Sequence, residues 1–183
     1  MKIKERVRKE VNERKRVIIS LSMFLLATLV GSLTIGRSLL LGKQPGLVSF
    51  SLVNFAGYLF FLIMPVEVLI PFYLAEGHSG LVLVGLALST AIAAQLIDYG
   101  IGYLASENVI FELIGEKRFK KAEKHIHAYG GWAILLFNLF PLSSPLLTLA
   151  AGMVRFSLRK VLFFSIIGLT VKYLAIVYLF GLL

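Results

Sequence analysis

Three charged side chains sit inside apolar stretches of this 183-residue sequence. They are Glu67 in "LIMPVEVLIPFYLAEG", Asp98 in "AQLIDYGIGYL" and Lys172 in "GLTVKYLAIVYL". A charge at the centre of a bilayer costs about 2.5–3.5 kcal/mol on insertion scales, so such residues mark proton, ion or substrate paths by default. Desolvation favours the neutral form of a carboxyl group, which suits Glu67 to carrying a proton. The competing role for Glu67 is to cap backbone amides freed by Pro65 and Pro71. Asp98 shares a helical face with Ala87, Ala91, Ala94, Gln95 and Gly102. Small residues mark close helix packing, so this acid should face protein; solvation near the membrane interface is the alternative. Lys172 lies on one face with Gly168 and Ala175, where it can pair with Glu67 or Asp98, hold a lipid phosphate, or snorkel toward the interface.

Weaker signals surround these three. Asn138, Ser143 and Ser144 flank a second pair of prolines, Pro141 and Pro145, and can bind either broken backbone or a polar headgroup. Arg155 and Arg159 read as interface markers, and Glu76 and His78 as loop residues. His125-Ile126-His127 stands in a basic stretch without supporting carboxylates, so no metal site is expected, and no cofactor. G-x-S-x-G and H-E-x-x-H are absent, and no histidine falls in an expected span. Ser143 and Ser144 have no base to activate them. An enzyme is therefore not expected.

The elements that would position these residues are membrane-embedded. Hydrophobic residues make up 58% of the chain and charged ones 16%, with mean hydropathy +0.86. Soluble domains run at roughly 45–50% apolar and about 25% charged. Val17 to Gly36 has no charge and is long enough for a bilayer core, and no small-residue cleavage site follows. A transmembrane helix over 17–42 is expected, preceded by a basic cytoplasmic segment, 1–16. The net charge of +9 gathers beside apolar segments. That placement points to anionic headgroups and topology control and away from nucleic acid. There is no cysteine.

Four of the five prolines fall in two pairs within apolar regions. Each pair should interrupt its helix, because proline lacks a backbone donor and clashes with the preceding turn. Broken backbone is tolerated at membrane depth where protein or a watery cavity covers it. Two such segments in corresponding halves point to a transporter-type site. If both are re-entrant hairpins and the N-terminus is inside, 16 of the 19 Lys/Arg lie inside. Full crossing would leave 11 inside and 7 outside, so the positive-inside rule prefers hairpins.

The expected fold is an all-α polytopic membrane protein built as an inverted repeat of re-entrant hairpin plus transmembrane helix. The first repeat comprises a hairpin over 48–76 and a span over 80–104. Interfacial amphipathic helices follow over 106–130. A hairpin over 131–154 and a span over 160–183 form the second. The repeat rests on pattern, without evident residue identity between the halves.

Pro65-Val66-Glu67-Val68-Leu69-Ile70-Pro71 resembles the P-x-E-x-x-x-P of the DedA family, also called VTT-domain or SNARE-associated membrane proteins. "FNLFPLSSPLLTLAAGMVRFSLRKVLFFSIIG" resembles the family's R-x-x-P-x-x-R stretch with A-G, a basic residue and a later glycine. Pro141, Ala151, Gly152, Arg155 and Gly168 match that stretch, and "YGIGY" resembles Y-x-I-G-R. The likeness covers about 48–180. Asn138 and Ser144 stand where the family has its arginines, Lys172 at a usual tryptophan, and Gln95 where an acid precedes the Y-x-I-G stretch. The resemblance implies transport of lipids, including polyprenyl phosphates, by a flippase or scramblase coupled to protons or ions. Glu67 and Asp98 would then couple the ion; Asn138, Ser143, Ser144 and Lys172 would line the substrate path, with Gly152 structural. A non-transporting scaffold of the same fold is the alternative. Membrane lipids are the expected partners, with homo-oligomerisation left open, in the plasma or inner membrane with the N-terminus cytoplasmic.

Overall fold

The computed structural model describes residues 46–59, 66–104, 115–140 and 144–181, and every regular element among them is helical. The expected basic segment 1–16 and span 17–42, together with Pro65, Pro141 and Ser143, lie outside the described residues.

The first apolar region forms α1 (Leu47–Leu59), a short 3-10 turn (Val66–Val68) and α2 (Leu69–Ala75). The span that follows is α3 (Gly80–Leu104), then α4 (Glu116–Tyr129). The second interrupted region gives α5 (Gly131–Leu139) and α6 (Ser144–Met153), and the chain continues into α7 (Leu158–Gly181). At 1.5 Å per residue, α3 and α7 are each about 36 Å long, enough to cross a core of roughly 30 Å. The shorter apolar helices are not.

Pro71 and Pro145 do not sit inside the breaks, as the sequence pattern had it. Each lies in the first turn of the arm after the break, Pro71 in α2 and Pro145 in α6. The missing donor is harmless there, because first-turn N–H groups have no partner within the helix. The His125-Ile126-His127 stretch is helical. It belongs to α4, whose buried face is Phe119, Ala122 and Ile126. The helix starts after Gly115 and stops at Gly130, both at positive φ.

The α2–α3 and α6–α7 turns are built the same way. His78 N donates to the Tyr73 carbonyl (3.1 Å) and Gly77 N to the Leu74 carbonyl (3.0 Å). Phe156 N likewise donates to Ala151 (2.9 Å) and Arg155 N to Gly152 (3.0 Å). These are the paired bonds of a Schellman ending, which needs a left-handed residue. Gly77 supplies it at φ 87° in the first turn and Arg155 at φ 53° in the second. Ser79 and Ser157 then open the long helices, accepting from Leu83 N and Val161 N at 3.0 Å each.

Packing follows one plan. α1 lies on α3 and α5 on α7, while α2 packs on α7 and α6 on α3. The long helices run antiparallel: Gly80 at the start of α3 meets Val177 near the end of α7. At the other end Tyr99 donates from its hydroxyl to the Phe156 carbonyl (2.7 Å), and Arg155 lies 5.2 Å from the Tyr103 ring centre. α3 and α6 approach closely enough that a Cβ on Gly102 would strike the Leu149 carbonyl, and one on Gly152 the Tyr99 carbonyl.

Polarity is arranged inside out. Leu81, Leu96, Ile97, Phe163, Val171 and Leu174 of the long helices are exposed, whereas Asn54, Gln95, Asp98, Asn138 and Lys172 are buried. Apolar surface of this extent marks contact with a membrane or partner, and buried polar residues within apolar helices face the bundle interior.

Candidate functional site

Two polar clusters occupy the interior. The first is assembled across the fold. The 3-10 turn presents Glu67, the end of α1 presents Tyr58, and Lys172 and Tyr173 project from the middle of α7. Lys172 lies roughly 20 Å along α7 from Leu158 by helix rise, a little past the middle of that helix. Its ammonium donates to Glu67 Oε1 at 2.8 Å and to the Tyr58 hydroxyl at 2.8 Å. Tyr173 donates from its hydroxyl to that of Tyr58 at 2.9 Å, and Tyr58 also reaches the Glu67 carboxylate. Both rings flank the ammonium, their centres 5.4 and 5.3 Å away, where the π faces add cation–π attraction. Asn54, one helical turn before Tyr58, donates to the Ala87 carbonyl (3.1 Å) and Thr90 Oγ1 (2.8 Å), and its side chain adjoins the Tyr173 hydroxyl. These bonds tie α1 to α3 and to α7.

Exposure differs within the charge pair. The Lys172 side chain is 7% exposed and that of Glu67 20%. The carboxylate is the more accessible partner, and the ammonium lies behind it among the tyrosines. Of the alternatives open to Lys172, the structure has the pair with Glu67. Among the described residues, Glu67 is bound to Lys172 across the interface.

The second cluster is neutral except for one acid. Gln95 Nε2 donates to Asn138 Oδ1 (2.6 Å), and Asn138 Nδ2 donates to the Ile134 carbonyl (2.9 Å) and Ser165 Oγ (3.1 Å). Gly168 makes room for Asn138, since a Cβ there would lie 3.0 Å from Asn138 Cβ and 2.7 Å from the Leu135 carbonyl. Asp98 is fully buried on α3, between Gln95 and Gly102 along its face. Neither of its carboxyl oxygens has a hydrogen-bond partner among the described residues, nor does Gln95 Oε1. Such groups cost free energy and recur where a site does work.

Other expected site residues are dispersed. Ser144 opens α6, buried, its carbonyl accepting from Thr148 Oγ1 at 3.0 Å. Gly152 serves the α3–α6 contact, and Glu76 and His78 fall in the α2–α3 turn. On α4, His125 Nδ1 lies 2.6 Å from the Lys121 carbonyl, and His127 stands 3.9 Å from Glu123. Among the described residues no group of three or more metal-binding side chains gathers.

Sequence reasoning passed over Tyr58, Tyr173, Asn54, Thr90 and Ser165. A usable signal existed for two of them: Asn54 and Tyr58 are spaced i,i+4, a polar stripe on the otherwise apolar α1. Tyr173, Thr90 and Ser165 gave none, because each reads as an ordinary member of an apolar helix.

A family model described as the VTT domain matches residues 47–182. No curated protein and no solved structure matches the chain.

Proposed function

Because the chain belongs to the VTT-domain (DedA) family of membrane proteins, we propose that it is a transporter that moves lipid across the bilayer, as a flippase or scramblase. The observation that carries this reading is the Glu67–Lys172 pair, a largely buried ion pair near the middle of a long apolar helix, flanked by Tyr58 and Tyr173. Ionisable groups are kept in such places for substrate, ion or proton movement, since structure alone is built more cheaply from apolar residues. Polyprenyl phosphates and phospholipids are the candidate cargo. Glu67 and Asp98 carry the coupling proton or ion, while Lys172, Asn138, Ser143 and Ser144 line the path.

Transport works through two re-entrant hairpins, α1–α2 and α5–α6, arranged as an inverted repeat. Support comes from the two matching turns, the exchanged packing of α2 and α6, and the antiparallel long helices. Arg155, Arg159 and Lys160 gather at the end of the bundle where α3 finishes and α7 begins. That is the cytoplasmic end by the positive-inside rule. Rocking one repeat against the other would open the central polar region to each face in turn.

The test is transport by purified protein in vesicles. Wild type should move a fluorescent phospholipid or a polyprenyl phosphate, and Lys172→Met should slow it at least tenfold while remaining folded. A well-folded wild type that moves neither lipid would overturn the reading in favour of a membrane scaffold.

A further inference from the structure

We propose that Glu67 is a built-in rival of an anionic lipid headgroup for Lys172, so that headgroup binding and protonation of Glu67 are one event. The site then selects phosphodiester headgroups of net charge −1 over zwitterionic ones. This deepens the transporter reading and rests on it for the transport consequence.

Geometry carries the argument. Lys172 is the buried cation among the described residues, and the more exposed Glu67 carboxylate stands before it at 2.8 Å. An anion reaching the ammonium from the Glu67 side must displace that carboxylate. Two of the three ammonium donors are already committed, to Glu67 and to Tyr58.

Charge balance then fixes the stoichiometry. With Glu67 ionised, the pair is neutral. A headgroup phosphate arriving beside an ionised Glu67 would leave a net negative charge in the membrane interior, which is costly. If Glu67 first takes a proton from water, its carboxyl becomes neutral and Lys172 neutralises the phosphate. The site therefore holds no net charge before or after exchange. A phosphocholine headgroup brings its own positive charge, so protonating Glu67 to admit it would leave the site at +1, and it gains nothing from the exchange. The Tyr58 hydroxyl, which accepts from Lys172 and Tyr173, keeps one hydrogen of its own to donate to a phosphate oxygen once Glu67 is displaced.

Few other groups bear on this titration. Among the described residues, the titratable and charged side chains on the elements packed around the turn are Tyr58 of α1, Tyr73 of α2, and Lys172 and Tyr173 of α7, together with Arg159, Lys160 and Tyr178 of α7, which are exposed. Tyr73 is turned away, its hydroxyl 3.4 Å from the Gly46 carbonyl. Asp98 on α3 makes no hydrogen bond to any of them.

The experiment is calorimetric binding to full-length protein in a neutral maltoside detergent, in buffers of different ionisation enthalpy to count protons. The probes are dihexanoyl phosphatidylglycerol, dihexanoyl phosphatidylcholine and dimethyl phosphate. Wild type should bind the phosphatidylglycerol with uptake of one proton, its affinity falling by up to tenfold for each unit that the pH rises. Glu67→Gln should bind it at constant affinity with no proton uptake, and Lys172→Met should not bind. The proton count on wild type decides the matter even if either variant misfolds. Binding without proton uptake, or equal affinity for the phosphatidylcholine, would overturn the proposal. Dimethyl phosphate binding as tightly as the lipid would overturn the assignment to a lipid headgroup. Proton-linked binding without transport in vesicles would sink the transporter reading alone; transport without linked binding would sink the exchange alone.

Discussion

Removing either member of the Glu67–Lys172 pair should damage the fold more than removing both. The ammonium and carboxylate are 2.8 Å apart. At an effective dielectric constant of about 20, that separation corresponds to an attraction of about 6 kcal/mol. Glu67 keeps some exposure, which weakens the attraction, and desolvation of both ions offsets much of what remains. What survives is the asymmetry: an orphaned charge in a buried pair costs about 3–5 kcal/mol, while replacing both partners with neutral groups is often close to neutral. Lys172→Met and Glu67→Gln should each lower stability by about 3 kcal/mol, with Glu67→Gln at the milder end because its amide oxygen still accepts from Lys172. The double variant should recover most of the loss, giving a coupling energy of at least about 2 kcal/mol. Equilibrium unfolding in mixed micelles, run as a double-mutant cycle, measures this directly. Additive single effects would refute the reasoning, since they would mean that the two charges do not sense each other in the folded protein.

Asp98 should act in the opposite sense, because a buried carboxyl without partners costs about 1–3 kcal/mol. Asp98→Ala is therefore expected to raise stability in the same unfolding assay while slowing transport, and a destabilised variant would contradict it. Gly152→Ala should destabilise by about 1–3 kcal/mol, since its Cβ meets the Tyr99 backbone carbonyl, which cannot step aside as a side chain can. Gly85→Ala, with nothing within 4 Å, is the matched control and should be neutral or mildly stabilising. Single cysteines at Gly46 and Ser79, introduced into a chain with no cysteine of its own, should label from the same side of a sealed vesicle if α1–α2 is re-entrant. Labelling from opposite sides would show a full crossing.

What the sequence made legible were features set by local composition. The stretch 80–104 coincides with α3, because a long apolar run with a single charge, Asp98, between a turn and a polar segment leaves little choice of boundary. Pro71 and Pro145, expected to break helices, lie in the first turns of α2 and α6 instead. The partner of Lys172 was narrowed to two acids and no further. Choosing Glu67 over Asp98 requires knowing that α2 packs on α7, which is a tertiary fact. The likeness of the two turns was hidden by one residue. A left-handed helix end announces itself when it is glycine, as at Gly77, and goes unnoticed when it is Arg155. Ser79 and Ser157 correspond, but serines are too common for that correspondence to stand out in the bare sequence.

With the two turns aligned so that Gly77 corresponds to Arg155, the two polar clusters make parallel contacts on the long helices, although Asn54 and Asn138 themselves fall six positions out of that register. Asn54 of α1 bonds the Ala87 carbonyl of α3, and Asn138 of α5 bonds Ser165 of α7, the position equivalent to Ala87. Each asparagine is also met from the opposite long helix, Asn54 by Tyr173 and Asn138 by Gln95, again at equivalent positions. The charges do not follow this correspondence. Lys172 falls opposite Ala94, and Asp98 opposite Ile176, so each long helix carries one ionisable residue that its counterpart lacks. A repeated frame with unrepeated charges separates two tasks. The asparagine bonds hold α1 to α3 and α5 to α7, a structural role. The ion pair is found in one cluster and the unpartnered acid in the other, which no structural requirement of the repeat demands. The chemistry of this protein is therefore to be sought where its two halves differ, at Glu67 with Lys172 and at Asp98.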